Sequence, residues 1–112
     1  MTRKLLSILL AVAMLGCCAL PAFAEETYTV GICQLVQHEA LDAATKGFCD
    51  ALTDALGDKV TFIEQNASND IPTCATICSG LVAEDVDLIL ANATPALQAA
   101  ATATDTIPIL GT

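Results

Sequence analysis

The stretch Asp87-Leu88-Ile89-Leu90-Ala91-Asn92-Ala93-Thr94-Pro95 decides the fold. After Asp87 the run through Ala91 is apolar without alternation, as expected of a strand covered by helices on both faces of its sheet. Thr94-Pro95 follows at once. Thr is read as the N-cap and Pro95 as the first helical residue, and the alanine-rich run carries that helix to about Thr102. A buried strand that feeds directly into a helix is one half of a βαβ unit.

The same alternation extends in both directions. Upstream, Tyr28-Thr29-Val30-Gly31-Ile32-Cys33 reads as a strand and Glu39 to Leu56 as a helix. In that helix Leu41, Phe48, Leu52 and Leu56 form one apolar stripe, with Asp42, Lys46, Asp50 and Asp54 outside it. Gly57-Asp58 ends it. Val60 to Glu64 is a second strand, and Asp70 to Ala83 a second helix with Asn69 or Asp70 as cap and Pro72 in its first turn. Downstream, Ile107-Pro108-Ile109-Leu110 is a short fourth strand. The order β-α-β-α-β-α-β with short connections implies a parallel sheet with right-handed crossovers and flanking helices. Thr61 and Glu64 interrupt the second strand's apolar run, which suits an edge strand in the order 2-1-3-4.

In such a sheet ligands bind beyond the carboxyl ends of the strands. That rule selects Gln34–His38, Gln65–Asn69, Asn92–Thr94 and the segment from Gly111 onward. These loops carry Gln, His, Asn and Thr, which suit a small polar or zwitterionic ligand. Phosphate-cradling glycine loops are absent: there is neither GxGxxG nor GxxxxGK[ST]. Thr94-Pro95 stands out, since a helix starting at the ligand edge offers free N–H groups and a hydroxyl to a carboxylate; an ordinary cap that binds nothing has the same sequence. His38, the one histidine, is either a binding residue or a loop residue satisfied by its neighbours. No Ser/His/Asp or Cys/His arrangement is recognisable, so no catalysis and no cofactor are expected. A phosphate-accepting receiver domain needs an acid at the end of the third strand, where Ala91-Asn92 stands.

The chain has 112 residues, of which 54% are hydrophobic and 15% charged, with four Lys+Arg against 13 Asp+Glu. Such acidity excludes a nucleic-acid-binding surface. The apolar residues are concentrated at the start. Arg3 and Lys4 precede an uncharged run from Leu5 to Leu20, closed by Pro21-Ala22-Phe23-Ala24 before Glu25-Glu26. This is the pattern of a secretory signal over residues 1–24, with cleavage after Ala24. Two rivals are an uncleaved anchor, since the run approaches the ~20 residues that span a bilayer, and lipidation at Cys17, where Met14-Leu15-Gly16-Cys17 resembles a lipobox. Pro21 and the Ala-Phe-Ala end favour cleavage. Residues 25–112 then form an exported, acidic α/β unit in which only Lys46 and Lys59 remain as fixed positive charges.

Cys33, Cys49, Cys74 and Cys78 lie in that unit. Cys74 and Cys78 are one helical turn apart, with a Cβ separation of ~5–6 Å against the ~3.8 Å of a disulfide. No second pair or His lies at zinc-ligand spacing. The four are read as small buried hydrophobes. A Cys33–Cys49 or Cys49–Cys78 bridge is the rival reading.

At the selected loops the sequence resembles a known family. Val30-Gly31-Ile32-Cys33-Gln34-Leu35-Val36-Gln37-His38-Glu39-Ala40-Leu41-Asp42-Ala43-Ala44, then Gly47-Phe48, is similar to the opening of ABC transporter substrate-binding proteins of the tryptophan/tyrosine type. Gln65-Asn66-Ala67, Val86 to Ala91, Ala93-Thr94-Pro95-Ala96-Leu97-Gln98-Ala99 and Ile107-Pro108-Ile109 continue the match over residues 27–112. Glu39 stands where that family usually has Pro after the His. The resemblance implies part of the first lobe of a two-lobed, type I periplasmic-binding fold that closes on its ligand. It implies an aromatic amino acid or similar small molecule as ligand, a membrane permease driven by a separate ATPase as partner, and no catalysis by this chain. It places Gln34, His38, Asn66, Thr94 and Thr112 on ligand-facing loops, with Thr94 and the amides after it as carboxylate holders. Asn92 and Ala93, in the same loop as Thr94, complete the candidate set. Relatives are roughly three times longer by the same resemblance, so the chain is read as a fragment that does not bind ligand alone. A sensory domain of a signalling receptor with the same fold is the alternative function.

Overall fold

In a computed structural model, residues 26–112 are described; the leader expected over residues 1–24, its expected cleavage point and Cys17 lie outside the described residues. The elements are β1 (Tyr28–Gln34), α1 (Glu39–Leu56), a single 3-10 turn (Gly57–Lys59), β2 (Val60–Asn66), α2 (Ile71–Ala83), β3 (Leu88–Asn92), α3 (Thr94–Ala103) and β4 (Ile109–Gly111). The four strands form one sheet in the order β2-β1-β3-β4, and every pairing is parallel. This is the expected topology, with β2 at an edge and largely exposed.

Side chains alternate across each strand, so the sheet sorts its residues into two cores. Val30, Ile32, Val60 and Leu90 face α1 and pack with its stripe residues Phe48, Leu52 and Leu56. Cys33, Ile89 and Ala91 point the other way, against Cys74, Cys78 and Leu81 of α2 and Ala96 and Ala100 of α3. The alanines of α3 let that helix lie close to α2 and the sheet. Gly31 marks an equally close approach: a Cβ there would lie 2.8 Å from Leu81 Cδ2.

The two cores also decide the cysteine question. Cys33, Cys74 and Cys78 are fully buried and Cys49 is half-buried, all four as free thiols. Cys49, on α1, packs on the opposite face of the sheet from Cys33 and Cys78. The sheet therefore stands between the partners of a Cys33–Cys49 or a Cys49–Cys78 bridge, and neither rival pairing survives.

Helix starts differ in kind. Asp70 caps α2 through its carboxylate, which accepts from the Thr73 amide at 3.1 Å and from the Thr73 hydroxyl. The cap of α3 corrects the sequence reading. Ala93, not Thr94, is the N-cap; it has no side-chain cap bond, and Thr94 is the first helical residue. The reason is tightness. β3 continues through Asn92, so a single residue must turn the chain, and Ala93 does so at φ 94, ψ 157. That region is ordinarily reserved for glycine. Strand β4 also starts later than expected, at Ile109. Pro108 has no N–H to give the ladder, but its carbonyl accepts from the Ile89 amide at 3.0 Å.

Candidate functional site

The register brings three candidate residues into one row. Asn66 of β2 pairs with Gln34 of β1, and Gln34 pairs with Asn92 of β3. Thr112 follows β4 and donates its amide to the Ala91 carbonyl at 3.1 Å. The row lies at the carboxyl ends of all four strands, where the loops leave the sheet.

Alternation points Gln34 and Asn92 toward α1, and both are buried there, at 6% and 0% exposure. A buried amide must find partners inside the protein, and α1 supplies them. Gln34 Nε2 donates to Asp42 Oδ1 at 2.6 Å and to the Val36 carbonyl at 2.8 Å. Thr45 Oγ1 donates to Gln34 Oε1 at 2.7 Å. Asn92 Nδ2 donates to Thr45 Oγ1 and to the Leu41 carbonyl, both at 2.8 Å. Thr112 Oγ1 donates to Asn92 Oδ1 at 2.7 Å. No buried side-chain polar atom among the described residues is left without a partner. The network ties the ends of β1 and β3 and the segment after β4 to a single helix.

Thr45 and Asp42 are the members that sequence reasoning missed. Thr45 is the one buried residue of α1. It occupies the gap in the apolar stripe between Leu41 and Phe48, and a small polar residue in a core-facing position was the available signal. Asp42 lies beside that stripe and looked like part of a solvated face.

The remaining candidates are more open. His38 is the N-cap of α1: its Nδ1 accepts from the Ala40 amide at 3.1 Å. The ring's Nε2 is therefore the atom left to face outward. Asn66 Oδ1 accepts from the Ser68 amide at 2.8 Å, a local turn that leaves its NH2 group outward. Ala93 is half-buried and Thr94 exposed at the N-terminus of α3, where free N–H groups and the helix dipole give the edge its positive end. An open groove of about 520 Å3 runs along α1 and β2, lined by Gln34, Gln37, Asp42, Lys46, Glu64 and Asn66 among others. Cys49 also lines it, its thiol pushed up by burial and then by the Glu64 and Asp50 carboxylates. His38, Ala93, Thr94 and Thr112 are not in that groove. The structure thus joins Gln34, Asn92 and Thr112 by hydrogen bonds, sets Asn66 in the same row, and leaves His38 and Thr94 at two helix starts.

Comparison with known proteins follows this geometry. A family model for ABC transporter substrate binding proteins matches residues 29–112. A tyrosine-binding protein of Clostridioides difficile strain R20291 is 49% identical over 86 residues, which is 74% of this chain and 25% of that protein. The ligand-free, open structure of a Clostridium difficile substrate binding protein with adhesive properties superimposes at a TM-score of 0.73 with 44% identity, over 76% of this chain and 30% of that one. A Streptococcus ABC domain in complex with L-Trp gives 0.72 and 35%, over 77% of this chain and 30% of that one. A conserved domain protein of Vibrio cholerae gives 0.74 and 34%, over 78% and 30%. The chain spans about a quarter to a third of the length of these relatives. On the match over residues 29–112 and the identity to the tyrosine-binding relative, this chain belongs to the ABC transporter substrate-binding protein family.

Proposed function

We propose that the chain is the solute-receiving component of an ABC importer for aromatic amino acids, working outside the cytoplasm and handing its ligand to a membrane permease. Residues 1–24 serve as its export signal, and residues 25–112 supply the opening part of the first lobe. The observation that carries this reading is the 49% identity to a tyrosine-binding protein. The L-Trp complex of a second relative supports the same ligand class. The chemistry of the edge agrees. A zwitterionic amino acid needs donors for its carboxylate, and the α3 N-terminus at Thr94 offers them. Asn66 and His38 lie on neighbouring loops with outward polar groups, Ala93 precedes Thr94, and Thr112 is bonded to Asn92 at the same edge. Gln34 and Asn92 have spent their side chains on α1, so they serve the ligand from beneath, by holding the loops that meet it. The relatives are binding proteins, which points away from an enzyme, and no catalytic step is assigned to this chain. No helix among the described residues is long and apolar enough to cross a membrane.

The test is to express the reading frame to its stop codon and titrate the product with L-tyrosine and L-tryptophan by calorimetry. Micromolar binding of either is the expected result, and binding of neither overturns the ligand assignment. Adjacent permease and ATPase genes support the importer role, and a downstream kinase or signalling segment overturns it.

A further inference from the structure

Three of the four described cysteines meet in one place that the proposed function does not use. Cys33 of β1 and Cys74 and Cys78 of α2 are each 0% exposed within the same apolar core. Among the described residues no three His, Cys, Asp or Glu side chains are grouped so as to hold a metal ion. The cluster therefore raises a question of sulfur chemistry, and the packing of β1 on α2 bears on it. Gly31 and Leu81 are in contact range, since a Cβ on Gly31 would touch both Leu81 methyl groups at 2.8 and 2.9 Å. From that crossing point β1 advances two residues, about 6.6 Å, to Cys33 on the same face. The helix runs back three residues, about 4.5 Å, to Cys78, or seven residues, about 10.5 Å, to Cys74. Cys78 therefore lies nearer the level of Cys33, mismatched by about 2 Å against about 4 Å for Cys74. Cys74 and Cys78 cannot join each other across one helical turn. Cys78 first, then burial and Cys74, push the Cys33 thiol far up, and Cys33 in turn lowers Cys78.

We propose that Cys33 and Cys78 are a latent disulfide pair that staples β1 to α2 directly behind the ligand edge, with Cys74 as a bystander thiol. The oxidant is another disulfide, either a small-molecule one or that of a thiol–disulfide oxidoreductase, such as exported chains meet while folding. A thiolate of the pair attacks the oxidant's S–S bond and releases one thiol, leaving a mixed disulfide. The second thiolate attacks the protein sulfur of that mixed disulfide and releases the other thiol. Two S–H bonds are lost from the protein, one S–S bond forms, and the two protons and two electrons end on the oxidant as two thiols. Because both sulfurs are sealed in the docked core, exchange takes place before α2 docks on β1.

The test uses the full 112-residue chain with Cys17→Ser and Cys18→Ser, so that only the four described thiols remain. It is reduced, unfolded and refolded in excess oxidised glutathione, then quenched in acid, alkylated and mapped by mass spectrometry. The expected result is two alkylated sites, Cys49 and Cys74, and a peptide pair joined through Cys33 and Cys78. Four alkylated sites, a lasting glutathione adduct, or a dominant bond to Cys49 or Cys74 overturns the proposal. The oxidised chain is also expected to melt at least ~5 °C above the reduced one, since the bond closes a long loop. A lower midpoint overturns the claim that the core accommodates the bond. Neither result depends on what ligand the family member binds.

Discussion

Asn92→Asp is the most demanding test of the buried network. The two side chains are nearly isosteric, so packing is kept and only the chemistry changes. Asn92 Nδ2 donates at 2.8 Å to two oxygens, the Leu41 carbonyl and Thr45 Oγ1. A carboxylate oxygen in that place faces both as an acceptor against acceptors, with 0% exposure to water. The cheapest escape is protonation. A carboxyl ordinarily near pKa 3.9 must then be held neutral at pH 7, which costs about 4 kcal/mol at about 1.4 kcal/mol per pH unit. Even the neutral acid has one proton to donate where the amide has two, a further loss of about 1 kcal/mol. The penalty at pH 7 is therefore about 5 kcal/mol, against a total stability of roughly 4–13 kcal/mol for a domain of this size. Its sign with pH follows from linkage. The folded-state pKa is raised above the unfolded one, so the variant is nearest its parent below about pH 4 and falls behind as pH rises toward 7. Urea unfolding of parent and variant at pH 4, 5, 6 and 7 measures this. Far-UV circular dichroism is the signal to follow, because the chain has no Trp and one Tyr. A penalty of about 1 kcal/mol near pH 4 that grows to about 5 at pH 7, or a variant folded only in acid, is expected. A penalty under 1 kcal/mol at pH 7, or one that does not change with pH, refutes the claim that Asn92 is a dry, donating hub.

Ala93→Gly should raise stability by about 1 kcal/mol, since φ 94 strains a residue with a Cβ and relief outweighs the added freedom of the unfolded chain; an unchanged or lower urea midpoint contradicts this. Gly31→Ala should cost about 1–3 kcal/mol by forcing a methyl group against Leu81. Combining it with Leu81→Ala should cost at least ~0.5 kcal/mol less than the two single changes added together, and strict additivity argues against the contact. His38→Asp should keep or improve the α1 cap by up to about 1 kcal/mol, while His38→Ala should lose about 1 kcal/mol. Equal midpoints for the two variants show that capping is not what His38 contributes to the fold.

Much of the architecture was legible before any coordinates, and for identifiable reasons. The unbroken apolar run of Leu88 to Ala91 could only be a strand covered on both sides, and the stripe Leu41, Phe48, Leu52, Leu56 could only be one helix face. Short loops between such elements leave a parallel sheet as the topology, and the polar interruptions in β2 put it at the edge. The carboxyl edge followed from that topology, and with it the set of loops that includes Gln34, Asn66, Asn92 and Thr112. Less legible was what each of those side chains does. Ala93 rather than Thr94 caps α3 because β3 ends one residue later than Ala91, at Asn92, and one residue is the whole length of the turn. The bonds of Gln34 and Asn92 to α1 were not legible, because their partners Asp42, Thr45 and the Leu41 carbonyl are brought to the strand ends only by helix-on-sheet packing.

The sequence by itself determined the elements and their order, because periodicity and local turn chemistry are written residue by residue, and its loop motifs carried the resemblance to the family. Tertiary structure decided the partners. Alternation and register aim Gln34 and Asn92 at α1, where Thr45 meets both, and the sheet keeps Cys49 apart from Cys33 and Cys78 while bringing those two together. Such groupings join residues tens of positions apart, and only the packing of helix on sheet brings them into one network or one core.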